Sequence, residues 1–252
     1  MIHISHAAPG VLLARIDRPQ RMNSLTDDMY GQLREAMREC LSSSNLSVLL
    51  ITGSSTLFTS GNDVAEFSSS SGKTSDDKRR QGGPSFLREV ASFEKILLFA
   101  VEGYAVGIGT TLLLHADGVY AGSSAKFKLP FIDLALTPEA GSSLLLPLRA
   151  GYLRAAAAVL LGEQMSGPQA LEAGLVTELT ADGASLDRAL AVANLYASKP
   201  LGALMEAKSL MRIPFQQLLA STMEREALAF AARRNSADAQ DRFRNFLAKS
   251  GR

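Results

Sequence analysis

Two short runs in this chain are apolar at almost every position: VLLIT at Val48–Thr52 and ILLFAV at Ile96–Val101. A strand with one wet face alternates polar and apolar residues. An unbroken apolar strand needs cover on both faces, as in a parallel sheet clad by helices. Val11–Ile16, stopped by Arg18-Pro19, and Gly118–Ala121 read as further strands. Helical patterns lie between them. Ser24 or Thr26 caps a helix to about Leu41, in which Leu25, Met29, Leu33, Ala36, Met37 and Cys40 recur at three- and four-residue steps. Phe86–Phe93 reads as a short helix. Thr137-Pro138-Glu139 reads as a helix start, with a cap, a proline at the first position and an acid in the first turn. From about Leu186 the pattern is all helical, with breaks at Lys199-Pro200 and Ile213-Pro214. Strands alternating with helices define an α/β chain.

At 252 residues the chain buries a core without staples, and its single Cys40 excludes an internal disulfide framework. Three histidines and no paired cysteine motif argue against a metal site. Lys plus Arg total 26 against 25 Asp plus Glu, a formal charge of +1, so nucleic acid and anionic membrane are not expected partners. No apolar run nears the roughly 18 residues of a membrane span. No signal peptide is visible in MIHISHAAPGV, and a cytoplasmic protein is the expectation. Ser68–Ser85 lacks apolar residues and reads as a surface loop, either a lid or an idle solvated segment.

Two glycine turns follow the buried strands. Gly103–Gly109 (GYAVGIG) leads into an apolar helix at Thr110–Leu114, and TSGND spans Thr59–Asp63. Such turns leave backbone N–H groups unpaired at a helix start, where negative charge is favoured. Leu112 stands where a dinucleotide fingerprint needs its third glycine, the P-loop lysine is missing, and there is no G-x-S-x-G elbow. Spacing alone leaves open that the glycines only allow close helix–sheet packing, and that Asp63 simply begins a helix.

Taken together, RIDRPQRMNSL, LFTSGNDVAEF, AVEGYAVGIGTTLLLHADGVYAGSSAKFKLPFIDLALTPEAGSSLLLP and MSGPQALEAGLVTEL resemble, in order, the signature of the crotonase (enoyl-CoA hydratase/isomerase) superfamily. The resemblance implies a ClpP-like spiral of β-β-α units at 1–195 and a C-terminal helical region at 196–252 that builds homotrimers or homohexamers. It implies an acyl-CoA substrate whose thioester oxygen lies between the N–H groups of Asn62 and Ile108, aided by the dipole of the glycine-turn helix. No separate cofactor is implied, since CoA arrives with the substrate.

Hydratases of this family carry glutamates where this chain has Thr111 and Phe131. The segment around Leu136-Thr137-Pro138-Glu139 instead resembles peroxisomal-type Δ3,Δ2-enoyl-CoA isomerases, which makes Glu139 the expected catalytic base, with Phe131, Leu134 and Leu136 as candidate apolar walls. The resemblance also points to Arg21, Gly61, Asp63, Gly107, Thr111, Phe131, Phe246 and Lys249 as substrate- or CoA-contacting positions. Asp117 and Asp133 read as structural or surface acids and His115 as a satisfied core histidine. The Met223, Ala227, Phe230 and Ala231 stripe reads as core or trimer contact. Three functions stand: a Δ3,Δ2-isomerase, another crotonase-type hydratase or lyase, and a non-catalytic acyl-CoA-binding member.

Overall fold

A computed structural model describes residues 1–69 and 82–249; side chains are described except at 67–69 and 249. The elements are β1 (Ile2–Ala8), β2 (Val11–Ile16), α1 (Asp27–Ser42), β3 (Val48–Thr52), α2 (Val64–Ser69), α3 (Gly82–Ala91), β4 (Ile96–Val101), β5 (Tyr104–Val106), α4 (Ile108–Thr111), β6 (Gly118–Gly122), β7 (Lys126–Lys128), α5 (Ser142–Ala150), α6 (Tyr152–Leu160), β8 (Met165–Ser166), α7 (Gly167–Glu172), β9 (Glu178–Thr180), α8 (Ser185–Ala197), α9 (Leu201–Arg234) and α10 (Ala237–Lys249). Six strands form one sheet in the order β1-β2-β3-β4-β6-β9, and β5-β7-β8 form a second. β1 runs antiparallel to β2; the other pairs of the large sheet are parallel.

The unbroken apolar strands are explained by two cores. Leu12, Leu49, Ile51, Leu97 and Phe99 face the larger core with α1, α3 and the second sheet. Val11, Val48, Leu50, Leu98 and Ala100 face the other side, where Ala189 and Ala193 of α8 cover them. Thr26 caps α1 by accepting from the Met29 N–H at 3.3 Å.

The winding places the site. A strand of the large sheet passes to a strand position of the small sheet and then to a helix: β2 to Leu25 to α1, β3 to Thr59–Asn62 to α2, and β4 to β5 to α4. Successive second positions stack in parallel, with bridges Leu25 to Asn62 and Thr59 to Ala105, followed by the β5–β7 pair. Each turn entering a helix therefore lies beside the next.

Three sequence expectations are corrected. The glycine segment Gly103–Gly109 holds a real strand, β5, and the helix after it is a single α-turn, continued as a 3-10 turn at Leu112–His115. So short a helix adds little dipole beyond its own unpaired N–H groups. Thr137-Pro138-Glu139 is not helical: α5 starts at Ser142, after Ala140 and Gly141 take positive φ of 61° and 72°. Pro214 does not break α9, which runs unbroken for 34 residues and is anchored by the buried Lys208, Thr222 and Glu226. α10 returns to the main core through Ala239 and Phe243. Among the described residues no helix is long and apolar enough to cross a membrane.

Candidate active site

The two glycine turns meet back to back. Asn23, held at φ 54°, donates through Nδ2 to the Leu57 and Phe58 carbonyls at 3.1 Å each. The Asn23 carbonyl accepts from Thr59 Oγ1 at 2.6 Å, and Thr59 Oγ1 accepts from the Gly61 N–H. Gly61 has φ +92°, and a Cβ there would lie 2.7 Å from the Val106 carbonyl oxygen, so only glycine fits. The Gly61 carbonyl accepts from Leu25 and the Asp63 N–H donates back to the Leu25 carbonyl. The Asn62 N–H between them has no partner among the described residues. Gly107 sits at φ 57°, ψ −119°, and its carbonyl takes the Thr110 and Thr111 N–H groups. The Ile108 N–H, first in its helix, is likewise unpartnered among the described residues.

Asn62, Ile108 and Glu139 line one cavity of about 1140 Å³. Its apolar wall comes largely from α9, including Leu219, Met223, Ala227, Phe230 and Ala231, and from Leu87 and Ala91 of α3. The α9 stripe read as core or trimer contact lines the cavity, and its Met223 and Phe230 also pack against the main core. Phe131, Leu134 and Leu136 do not line it: Phe131 and Leu136 are buried in the main core and Leu134 packs against it.

Glu139 lies on an extended loop ending in a tight turn. Its own carbonyl accepts from the Ser142 N–H at 3.1 Å and from Ser142 Oγ at 2.6 Å. Positive φ at both central residues, Ala140 and Gly141, is the pattern of a mirror-image type I turn. An alanine in that region costs about 1–2 kcal/mol, so the surroundings must impose it. They do so from two sides. His115 Nε2 lies 2.7 Å from the Ala140 carbonyl, which only accepts, so the ring donates. Glu226 of α9 accepts from the Gly141 N–H at 2.5 Å. Burial pushes the His115 imidazole down to about 4, keeping it neutral for that task.

The Glu139 Oε1 atom is buried and has no hydrogen-bond partner among the described residues. Burial first, and then the charge of Glu226, push its carboxyl up to about 7. Tyr30 of α1, also on the wall, donates its hydroxyl to Asn62 Oδ1 at 2.5 Å, and burial followed by the Glu139 charge raises its pKa.

The other expected residues scatter. Thr111 is fully buried with Oγ1 on the Ile108 carbonyl, away from the cavity lining. Asp63 is on the wall, but its Oδ2 pairs with Arg18 at 2.7 Å and its Oδ1 accepts from the Ala65 N–H. Arg21 is exposed on the turn Pro19–Arg21, and Phe246 is exposed on α10; neither lines the cavity. The Lys249 side chain lies outside the described residues, as does most of the segment read as lid or loop at 68–85. Asp117 is structural, accepting from the Leu97 N–H and from Lys208 Nζ, and Asp133 pairs with Lys128 at the surface. Among the described residues no group of His, Cys, Asp or Glu gathers to hold a metal. Sequence reasoning missed Tyr30 and Glu226. Tyr30 shares the apolar face of α1, and Glu226 is, by pattern, one more acid on a charged helix.

A spiral of β-β-α turns, with two bared amides and an acid on the wall of one cavity, is the architecture of the crotonase fold. The chain belongs to the enoyl-CoA hydratase/isomerase family, whose model matches residues 6–251. It is similar to the 1,2-epoxyphenylacetyl-CoA isomerase of Escherichia coli K12, 34% identical over 98% of this chain and 95% of that one. Enoyl-CoA delta isomerase 2 of Rattus norvegicus is 30% identical over 95% of this chain, which spans 62% of the rat protein. The solved structure of OdaA from Pseudomonas aeruginosa matches with TM-score 0.93 and 38% identity over 98% of both chains.

Proposed function

We propose that this chain is a Δ3,Δ2-enoyl-CoA isomerase, with Glu139 as its single acid–base group. The observation that carries the reading is a buried carboxyl, unbonded at Oε1 and poised near neutrality, on the same wall as two unpartnered main-chain N–H groups. The other carboxylates of that wall, Asp27, Asp63, Glu66 and Glu224, are exposed or already bonded. The positions from which the hydratases of this family activate water hold Thr111 and Phe131, both shut into the core.

In this mechanism the thioester oxygen of a 3-enoyl-CoA accepts from the Asn62 and Ile108 amides. The Glu139 carboxylate removes a proton from C2, and the C2–H electron pair moves into a dienolate ending on that oxygen. The protonated carboxyl then delivers the same proton to C4, giving trans-2-enoyl-CoA. Preorganised donors of this kind are each worth about 2.7–4 kcal/mol in the transition state, and a positioned base about 10²–10⁴-fold. CoA enters with the substrate, so no separate cofactor is needed.

A second reading follows from the 34% identical relative, an isomerase named for an epoxide of phenylacetyl-CoA. The cavity of about 1140 Å³ has room for a ring-bearing acyl group. The two readings separate in one assay set: 3-hexenoyl-CoA, crotonyl-CoA and 1,2-epoxyphenylacetyl-CoA with wild type and Glu139→Gln. We expect 3-hexenoyl-CoA to be isomerised, and the glutamine variant to lose about 10²–10⁴-fold. Turnover of the epoxide alone selects the second reading. Unchanged isomerisation in Glu139→Gln removes Glu139 from the reaction.

A further inference from the structure

The loop that carries Glu139 is gripped from a distant helix. Glu226, buried on α9, accepts from the Gly141 N–H through Oε2 at 2.5 Å, and from the Ser143 N–H and Ser143 Oγ through Oε1 at 2.9 and 2.5 Å. Three donors converging on two oxygens is the acceptor pattern of an ionised carboxylate. The carboxylate stands at the start of α5, where it satisfies N–H groups that have no intrahelical partner. The backbone it pins begins two residues beyond Glu139, at the Gly141 half of the positive-φ turn. α9 also presses on this spot: a Cβ on Gly141 would lie 2.4 Å from Leu219 Cδ1.

We propose that Glu226 is a positioning residue for Glu139: it clamps the Ala140–Ser143 turn so that the acid faces the cavity, and it keeps a negative charge beside that acid. The proposal rests on the reading of Glu139 as the base. A fixed negative charge disfavours a second one nearby, so it keeps the Glu139 carboxyl a strong enough base to take a carbon acid's proton. The other titratable groups facing Glu139 are Tyr30 from α1 and, through the Ala140 carbonyl, His115. Asp27, Asp63, Glu66, Arg88, Glu224 and Arg234 complete the charged groups of the wall and are the same in every variant below.

The test is Glu226→Gln, read in two ways. Glutamine offers one acceptor oxygen where two are needed, so one of the Gly141 and Ser143 N–H groups loses its partner. Infrared titration of the Glu139 carboxyl, isolated by subtracting a Glu139→Gln sample of matching background, does not depend on which acyl-CoA is turned over. Its midpoint is expected to fall by roughly one pH unit when the neighbouring charge is removed. With 3-hexenoyl-CoA, kcat is expected to fall about 10–100-fold while KM changes less than about threefold, the pattern of a misplaced base. Ser143→Ala keeps the charge and loses one bond of the clamp. It is expected to lower kcat about 3–10-fold without lowering the midpoint. A folded Glu226→Gln with wild-type midpoint and kcat overturns the proposal. If Glu226→Gln does not fold, an unchanged kcat in Ser143→Ala overturns it. Should wild type turn over no 3-enoyl-CoA, the proposed function falls, while the infrared midpoints still decide the role of Glu226.

Discussion

Two opposing demands meet at the Glu139 carboxyl. A base must be ionised to take a proton, yet an ionised carboxylate in an apolar wall lacks solvation. Burial, with the Glu226 charge behind it, moves the carboxyl to about 7, where both forms are present near neutrality. In the proposed mechanism the form that abstracts the C2 proton is the ionised one. kcat/KM for isomerisation is therefore expected to climb tenfold per pH unit below about 7 and to level off above it; a profile flat from pH 5 to 8 excludes Glu139 as the titrating base. The motif around Pro138 singles out this residue, and the structure places it on the cavity wall. Its setting was not legible in the sequence. A threonine, a proline and an acid in sequence suit a helix start, but the His115 and Glu226 bonds that bend this chain come from 25 and 85 residues away. No local pattern encodes them. Tyr30 was hidden for a related reason: a tyrosine on an apolar helix face gives the same pattern whether its hydroxyl meets solvent or Asn62.

Among the elements, the strands were the most legible, because a strand covered on both faces must be apolar throughout. Val48–Thr52 and Ile96–Val101 begin and end where the apolar runs do, and Val11–Ile16 matches the strand read there despite Arg15. β5 was obscured by its flanking glycines, which dominate the local pattern, although its three residues are held by pairing with β7. The turn after it yields a prediction. Gly107 occupies φ 57°, ψ −119°, a region open to glycine alone, yet nothing crowds its missing side chain. Gly107→Ala therefore strains the backbone without a clash. It is expected to cost about 1–3 kcal/mol in urea unfolding and to turn the Ile108 N–H off its target, lowering kcat more than it raises KM. A variant with wild-type kcat separates that amide from the reaction.

For the whole molecule, the acid proposed as the base burdens folding. Glu139 is at about 7 in the folded chain against about 4.5 unfolded, so the folded state holds its proton more tightly. Stability from this group is unpenalised below about pH 4.5, falls as pH rises from there to about 7, and carries the full penalty above. Glu139→Gln is expected to melt several degrees above wild type at pH 8 and level with it at pH 4. An equal offset at both values contradicts the assigned burial of charge. Tyr152, Leu153 and Leu161 at the two ends of the α6 segment, with Met211 on α9, are exposed apolar side chains that fit the proposed homotrimer or homohexamer. Light scattering on the purified chain is expected to give three or six times 26.9 kDa, and a monomeric mass rejects that assembly.

The amides of Asn62 and Ile108 belong to the main chain, so their direction is inherited from how the strands wind and not from which side chains decorate them. Point replacement at either position by any residue but proline, short of bending the backbone, leaves those two hydrogens where they were. Under the proposed mechanism such a scaffold is free to be retooled: relocating one acid along the rim would change which carbon loses its proton, while the two amides stay in place for the carbonyl.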